Sequence, residues 1–174
     1  MGCCPTIPNI VIVYELVDHS LFTLLHMKRT IDISMNTRVK IALECARVFL
    51  YMHSLDIVHR DIKSMNVLID AAFNVKVCDF GLARFQADLG SGSMQFGGTA
   101  HYMAPEIFQK RPYNEKVDVF AFGTLLWEII ERKVPFDGLE HADIKMKVES
   151  GEPLRSNYGI DARLTQLINN CRSV

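Results

Sequence analysis

A chain of 174 residues fits one domain, or one domain and a piece of another. Hydrophobic residues make up 49% and charged residues 22%, enough for a real core and too apolar for a disordered chain. Nineteen lysines and arginines against twenty aspartates and glutamates leave a net charge of −1, which removes the electrostatic case for binding nucleic acid or an anionic membrane.

No uncharged stretch approaches the roughly 20 apolar residues that span a bilayer, and no charged segment followed by an apolar run opens the chain as a secretory signal would. Cys3, Cys4, Cys45, Cys78 and Cys171 are odd in number and lack C-x-x-C spacing, so neither a zinc site nor a disulfide framework is expected. Reduced thiols in a cytosolic or nuclear compartment fit that pattern, and a soluble, cytoplasmic protein is expected. The six histidines form no H-E-x-x-H pair. Nor does any repeat of 20–50 residues occur.

Taken in chain order, Ile10 to Val17 is a β-branched run that predicts one buried strand leading into a connector. From Arg38 to Ser54, Ile41, Cys45, Val48, Phe49 and Met52 recur at helical spacing and predict an amphipathic helix. Asn66–Ile69 and Asn74–Cys78, separated by four residues, predict a small hairpin. Residues 88–98 are glycine- and serine-rich and read as the most mobile internal loop. Asn114 is placed to cap a helix over Glu115–Glu131 that is apolar on nearly every face, the pattern of a buried central helix. A weaker helix follows over His141–Val148. Over Asp161–Cys171, Leu164, Leu167, Ile168 and Cys171 keep the i, i+3, i+4, i+7 pattern.

Four signals then occur in order: His59-Arg60-Asp61 with Asn66 five residues after the aspartate, Asp79-Phe80-Gly81, Gly98-Thr99, and Ala104-Pro105-Glu106. By average residue usage the first alone arises by chance in about one in 1,000 chains of this length, and the ordered set far less often. Together they form the protein-kinase signature. From Ile10 onward the chain resembles the large lobe of a eukaryotic protein kinase, with the end of the small lobe before it.

The resemblance implies an α+β, protein-kinase-like fold: residues 1–18 as the end of the small lobe and the hinge, and 19–174 as a mainly helical large lobe. It implies ATP and Mg2+ as cofactors and the serine or threonine hydroxyl of a protein as substrate. Phosphoryl transfer needs positioning and charge neutralisation more than covalent help. Asp61 matches the base that orients the hydroxyl and takes its proton, and Asn66 and Asp79 match the magnesium ligands, whose oxygens suit a hard cation. Lys63 resembles the lysine that neutralises the transferring phosphate in serine/threonine kinases. Arg60 resembles the arginine that receives an activation-loop phosphate. Ser91 and Ser93 are the candidate phosphosites, and Thr99 the threonine of the substrate platform.

Asp118 looks like the helix aspartate that anchors the catalytic-loop backbone. His59 and Phe80 resemble members of a packed column between the lobes. In the same alignment Tyr14 is the gatekeeper, Glu15 and Val17 offer backbone groups to adenine, and Leu68 packs under its ring. Cys78 would sit beside the nucleotide. The wording Tyr-Met-Ala-Pro-Glu, Ala-Phe-Gly-Thr-Leu-Leu-Trp-Glu and Arg-Lys-Val-Pro-Phe resembles the tyrosine-kinase-like group, near the Raf and mixed-lineage kinases.

No Gly-x-Gly-x-x-Gly and no Val-Ala-Ile-Lys-type lysine precede Ile10, and the arginine that pairs with Glu106 in kinases is expected beyond Val174. The chain therefore reads as truncated at both ends, with little catalysis of its own expected. A non-catalytic binding or regulatory module is the alternative, and a small-molecule phosphotransferase a more distant one. Met-Gly-Cys-Cys-Pro-Thr fits a lipidation pattern at Gly2, Cys3 and Cys4, but the same stretch resembles the interior of kinase domains and is read as that.

Overall fold

The computed structural model describes residues 2–6, 8, 10–90, 97–156 and 160–173. Ser91 and Ser93 lie outside them. Strands β1 (Gly2–Cys4) and β2 (Val11–Val13) pair antiparallel, Gly2 opposite Val13. Both strands are exposed throughout, so the buried strand expected over Ile10–Val17 is shorter and lies on the surface. The reason is physical: among the described residues the β1–β2 sheet has two strands, and both are exposed throughout.

Next, β3 (His19–Ser20) leads into a π-helical turn, Thr23–Met27, closed by the Lys28 amide donating to the Thr23 carbonyl. Helix α1 spans Met35–Ser54. Its start lies three residues before the apolar repeat begins, because Ser34 caps it by accepting the Thr37 amide. Beyond β4 (Ile57–Val58), strands β5 (Val67–Ile69) and β6 (Val75–Val77) form the expected hairpin, with β3 on the far edge of β5. Strand β7 (Arg84–Phe85) pairs back with β4. A 3-10 turn, Gln86–Gly90, follows and takes in the first three residues of the loop expected over 88–98.

Helix α2 is one turn, Pro105–Phe108, with proline at its first position, where no amide is needed. Helix α3, Lys116–Glu131, is the axis of the domain. Asn114 does cap this end, its Oδ1 accepting the Lys116 amide at 3.0 Å, while the helix proper starts one residue later than expected. Arg132 ends the helix in the left-handed conformation, φ 53°. Its guanidinium donates to the carbonyls of Leu24, Leu25 and Ile31, tying α3 to the π turn and the segment after it. Helices α4 (His141–Glu149) and α5 (Ala162–Arg172) complete the fold.

Two apolar clusters surround α3. One joins α1, the hairpin, α3 and Ile168 of α5, and the other joins α2, the first turns of α3 and Ile144 and Val148 of α4. The loop of residues 59–66 lies along α3, joined to it at Asp118 and Glu128, and the turn of residues 99–102 meets it at Glu128. No helix among the described residues is long and apolar enough to cross a membrane.

Candidate active site

A single buried carboxylate fixes the loop that carries Asp61. Asp118, in the first turn of α3, is 2% exposed. Its Oδ2 accepts the His59 amide and its Oδ1 the Arg60 amide, each at 2.8 Å. His53 of α1 supplies a third partner, Nε2 to Oδ2 at 3.0 Å. Arg60 takes φ 70°, a left-handed conformation that a non-glycine residue holds only when its surroundings enforce it. The anchoring role expected for Asp118 is therefore the geometry observed. His59 is buried and packs on Phe80 with ring centroids 5.3 Å apart. Its Nδ1 accepts the Asp61 amide and its Nε2 donates to the Cys78 carbonyl, which places the ring proton on Nε2.

With the backbone held, four side chains converge. Lys63 Nζ donates to Asp61 Oδ2 at 2.6 Å and to Thr99 Oγ1 at 3.0 Å. Thr99 donates to Asp61 Oδ1 through both its amide and its hydroxyl, each at 3.2 Å. Asn66 Nδ2 donates to the Asp61 carbonyl at 2.9 Å and to Oδ2 at 3.1 Å. Asp61, Lys63 and Asn66, the candidate catalytic residues, thus form one connected cluster with Thr99, the candidate platform residue.

Asp79 reaches the same end of the hairpin by a different route. Val67 pairs with Val77, and the Cys78 amide donates to the Asn66 carbonyl at 3.0 Å, so Asn66 and Asp79 leave the hairpin side by side. Asp79 sits at φ 64°, with one oxygen accepting the Gly81 amide at 3.4 Å. Among the described residues its other oxygen and Asn66 Oδ1 accept no hydrogen bond. One amide and one carboxylate oxygen left available, on residues brought together across the open end of the hairpin, suit magnesium, which is held by few protein ligands and completed by phosphate oxygens and water. Among the described residues no group of three histidine, cysteine or acidic side chains offers another metal site. Burial and the neighbouring Asp79 charge push the Cys78 thiol pKa up, so it is no activated nucleophile.

The nucleotide side is more open. Leu68 is half-buried on β5, opposite Lys76 of β6. Lys76 pairs with Glu15 at 2.6 Å, which brings the segment carrying Glu15 and Val17 alongside Leu68. Tyr14 and Leu16 are strongly exposed. Arg60 donates to the Leu82 carbonyl and stacks on Tyr113, 5.5 Å from the ring centroid. Ser64, Tyr102, Glu128 and His26 escaped the sequence reading. They form a buried polar network under the site, and a glutamate inside an otherwise apolar helix was the signal that pointed to it.

Comparison with known proteins agrees with this chemistry. The protein kinase domain family matches residues 1–174. A probable serine/threonine-protein kinase of Dictyostelium discoideum is 37% identical over 149 residues, 85% of this chain and 16% of its own length. The serine/threonine-protein kinase CTR1 of Arabidopsis thaliana is 39% identical over 148 residues, 83% of this chain and 18% of its own. The mitogen-activated protein kinase kinase kinase dlk-1 of Caenorhabditis elegans is 41% identical over 138 residues, 78% of this chain and 14% of its own. The chain therefore spans less than a fifth of the length of each of these relatives. Their likeness falls in the serine/threonine, tyrosine-kinase-like neighbourhood that the motif wording indicated, and the chain belongs to the protein kinase domain family.

Proposed function

We propose that this chain provides the large lobe and hinge of a serine/threonine protein kinase, residues 1–18 being the end of the small lobe and 19–174 the large lobe. The observation that carries the reading is the Asp61 carboxylate held between Lys63, Asn66 and Thr99. In a complete domain Asp61 orients the serine or threonine hydroxyl and takes its proton. Lys63, already between Asp61 and the platform threonine, offers its charge to the phosphoryl group in transit. Asn66 and Asp79 would hold Mg2+, which would supply charge neutralisation at the nucleotide phosphates. Backbone groups of Glu15 and Val17 meet the adenine, and Leu68 supports its ring.

Regulation is part of the same proposal: Arg60 receives a phosphate carried by Ser91 or Ser93. Phosphomapping of the active protein tests this, and finding neither serine modified would reject it. A cytoplasmic location is supported by five free cysteines, and Gly2–Cys4 act as strand residues rather than acylation sites. Labelling of Gly2 by a myristate analogue would reverse the latter.

The deciding experiment captures the protein from its own cells and supplies radiolabelled ATP, Mg2+ and a general protein substrate. Phosphoserine or phosphothreonine formed by the wild type and lost in Asp61→Asn is the expected result. Little transfer is expected from the 174-residue chain by itself, so it is an absence of transfer from a captured protein that carries the small lobe as well that would turn the reading to a non-catalytic binding module.

A further inference from the structure

Trp127 is the chain's single tryptophan. It lies near the end of α3 and lines a cavity of about 330 Å³ formed with the α3–α4 connection, the segment after α4 and Arg29. At 7% exposure it is the one buried residue of that lining, and so its floor. Its indole Nε1 is buried and has no hydrogen-bond partner among the described residues. Buried donors are nearly always satisfied, so a donor left unmet at the floor of a cavity marks a place for an acceptor. None of the cavity's residues belongs to the Asp61 cluster.

The floor is apolar and held in place. Phe136 and Leu154 line it with Trp127. Phe136 takes φ 54°, a left-handed conformation that a bulky residue keeps only under constraint, and Arg172 of α5 stacks 5.7 Å from its ring centroid. The rim is cationic: Arg29, Lys133, Lys147 and Arg155 stand against Asp137 and Glu152. Lys147 occupies Glu152 with contacts at 2.9 and 2.8 Å, and Lys133 lies 3.7 Å from Glu131. Arg29 and Arg155 are exposed, and among the described residues their guanidinium groups make no hydrogen bond or ion pair. Burial, then the charges of Arg38 and Arg29, hold the Arg132 pKa below its ordinary value, with Asp32 offsetting part of the effect, so positive charge is concentrated around Arg29. Two unpaired arginines above an apolar floor with one unmet N–H are complementary to carboxylates that flank an apolar side chain.

We propose that this cavity is a docking site for an acidic peptide segment of a protein partner, whose apolar side chain enters over Trp127 and Phe136 and whose carboxylates meet Arg29 and Arg155. A carboxylate oxygen that reaches the indole would accept its unmet N–H. A protein docked here leaves the Asp61 cluster open. The proposal goes beyond the phosphoryl-transfer reading and is tested by binding alone.

Because Trp127 is the sole tryptophan, its fluorescence reports on the floor of the cavity. The full 174-residue chain is titrated with the blocked peptide Glu-Glu-Phe-Glu-Glu. A saturable change in emission at submillimolar peptide is expected, weakening several-fold when salt rises from about 0.05 M to about 0.5 M, because exposed charges are then screened. Peptides with glutamine for glutamate, or alanine for phenylalanine, should bind at least about tenfold more weakly. Equal binding of either would overturn the proposal. The same change produced by inorganic phosphate alone would also overturn it, by marking a general anion site. Arg29→Glu combined with Arg155→Glu alters two exposed side chains, and near-ultraviolet circular dichroism checks that the fold is kept. This double variant should lose about tenfold or more in affinity for the acidic peptide and gain affinity for the blocked peptide Lys-Lys-Phe-Lys-Lys. Retained binding of the acidic peptide, or no gain for the basic one, would reject the site. None of these outcomes bears on Asp61 as the base, which the transfer assay decides separately.

Discussion

Lys63 Nζ lies 2.6 Å from Asp61 Oδ2 and contacts the same carboxylate's other partner, Thr99. Two residues apart, they can share one face because Lys63 is extended, φ −161° and ψ 162°, and side chains at i and i+2 of an extended segment project to the same side. In the proposed reaction a substrate hydroxyl would meet an ionic pair rather than an isolated base.

Asp61→Asn keeps the shape and most of these hydrogen bonds but removes the proton acceptor. Loss of a general base costs about 10²–10⁴ in rate. Phosphoryl transfer in an active preparation should fall by at least about 100-fold, with the unfolding midpoint nearly unchanged. A variant within threefold of the wild type would remove Asp61 from the role of base.

The Asp118 anchor makes a stability prediction that needs no activity. Asp118→Ala leaves the buried amides of His59 and Arg60 without acceptors, at about 1–3 kcal/mol each. Unfolding in urea should show a loss of about 3 kcal/mol or more, against less for Asp118→Asn, which keeps an acceptor. Equal stability of Asp118→Ala and wild type would show that the loop finds other partners.

Local chemistry explains what could be read from sequence alone. Helices α3 and α5 and the β5–β6 hairpin were visible because their apolar periods and turn residues act locally. The candidate site residues were visible because the proposed phosphoryl transfer would fix both residue type and spacing. Burial of β2 was misjudged, because apolar composition cannot report what covers a strand. The start of α1 was missed for lack of weight on Ser34 as a cap, and the Glu128 network because its partners lie 26, 64 and 102 residues away. Contacts at that separation are decided by tertiary packing, not by pattern.

Thiol chemistry should divide the cysteines sharply. Burial against α1's apolar neighbours, with a smaller contribution from the charge of Glu44, pushes the Cys45 pKa up to about 12, whereas Cys3 and Cys4 are exposed. Because the folded value lies above the unfolded one, the neutral thiol's stabilising effect is complete below about pH 8.5 and is lost as pH rises towards 12. Iodoacetamide at pH 7.5 should modify Cys3 and Cys4 in the native protein and leave Cys45 intact until denaturant is added. Cys45→Ser or Cys45→Ala should flatten the fall in stability between pH 9 and pH 11, followed by urea titration. An unchanged alkaline slope would assign that fall to other groups.

Gly123 sets how closely α5 approaches α3. A Cβ there would stand 2.7 Å from Cys171 Cβ, 2.9 Å from Arg172 Cγ and 3.2 Å from the Ile168 carbonyl. Two of these atoms belong to, or lie next to, α5's backbone, so the helix itself must move. Arg172 is half-buried there, bonded to the Thr124 hydroxyl and stacked 4.6 Å from the Phe120 ring centroid, and desolvation lowers its pKa to about 10. Displacing α5 therefore disturbs a desolvated cation as well as apolar packing. Overpacking of this kind costs about 1–3 kcal/mol, against about 1 kcal/mol gained from replacing glycine in a helix. Gly123→Ala should lose about 1–2 kcal/mol in urea unfolding, with faster amide exchange concentrated in α5. A stabilised variant would mean that α5 shifts at no cost and that the α3–α5 contact is looser than this packing requires.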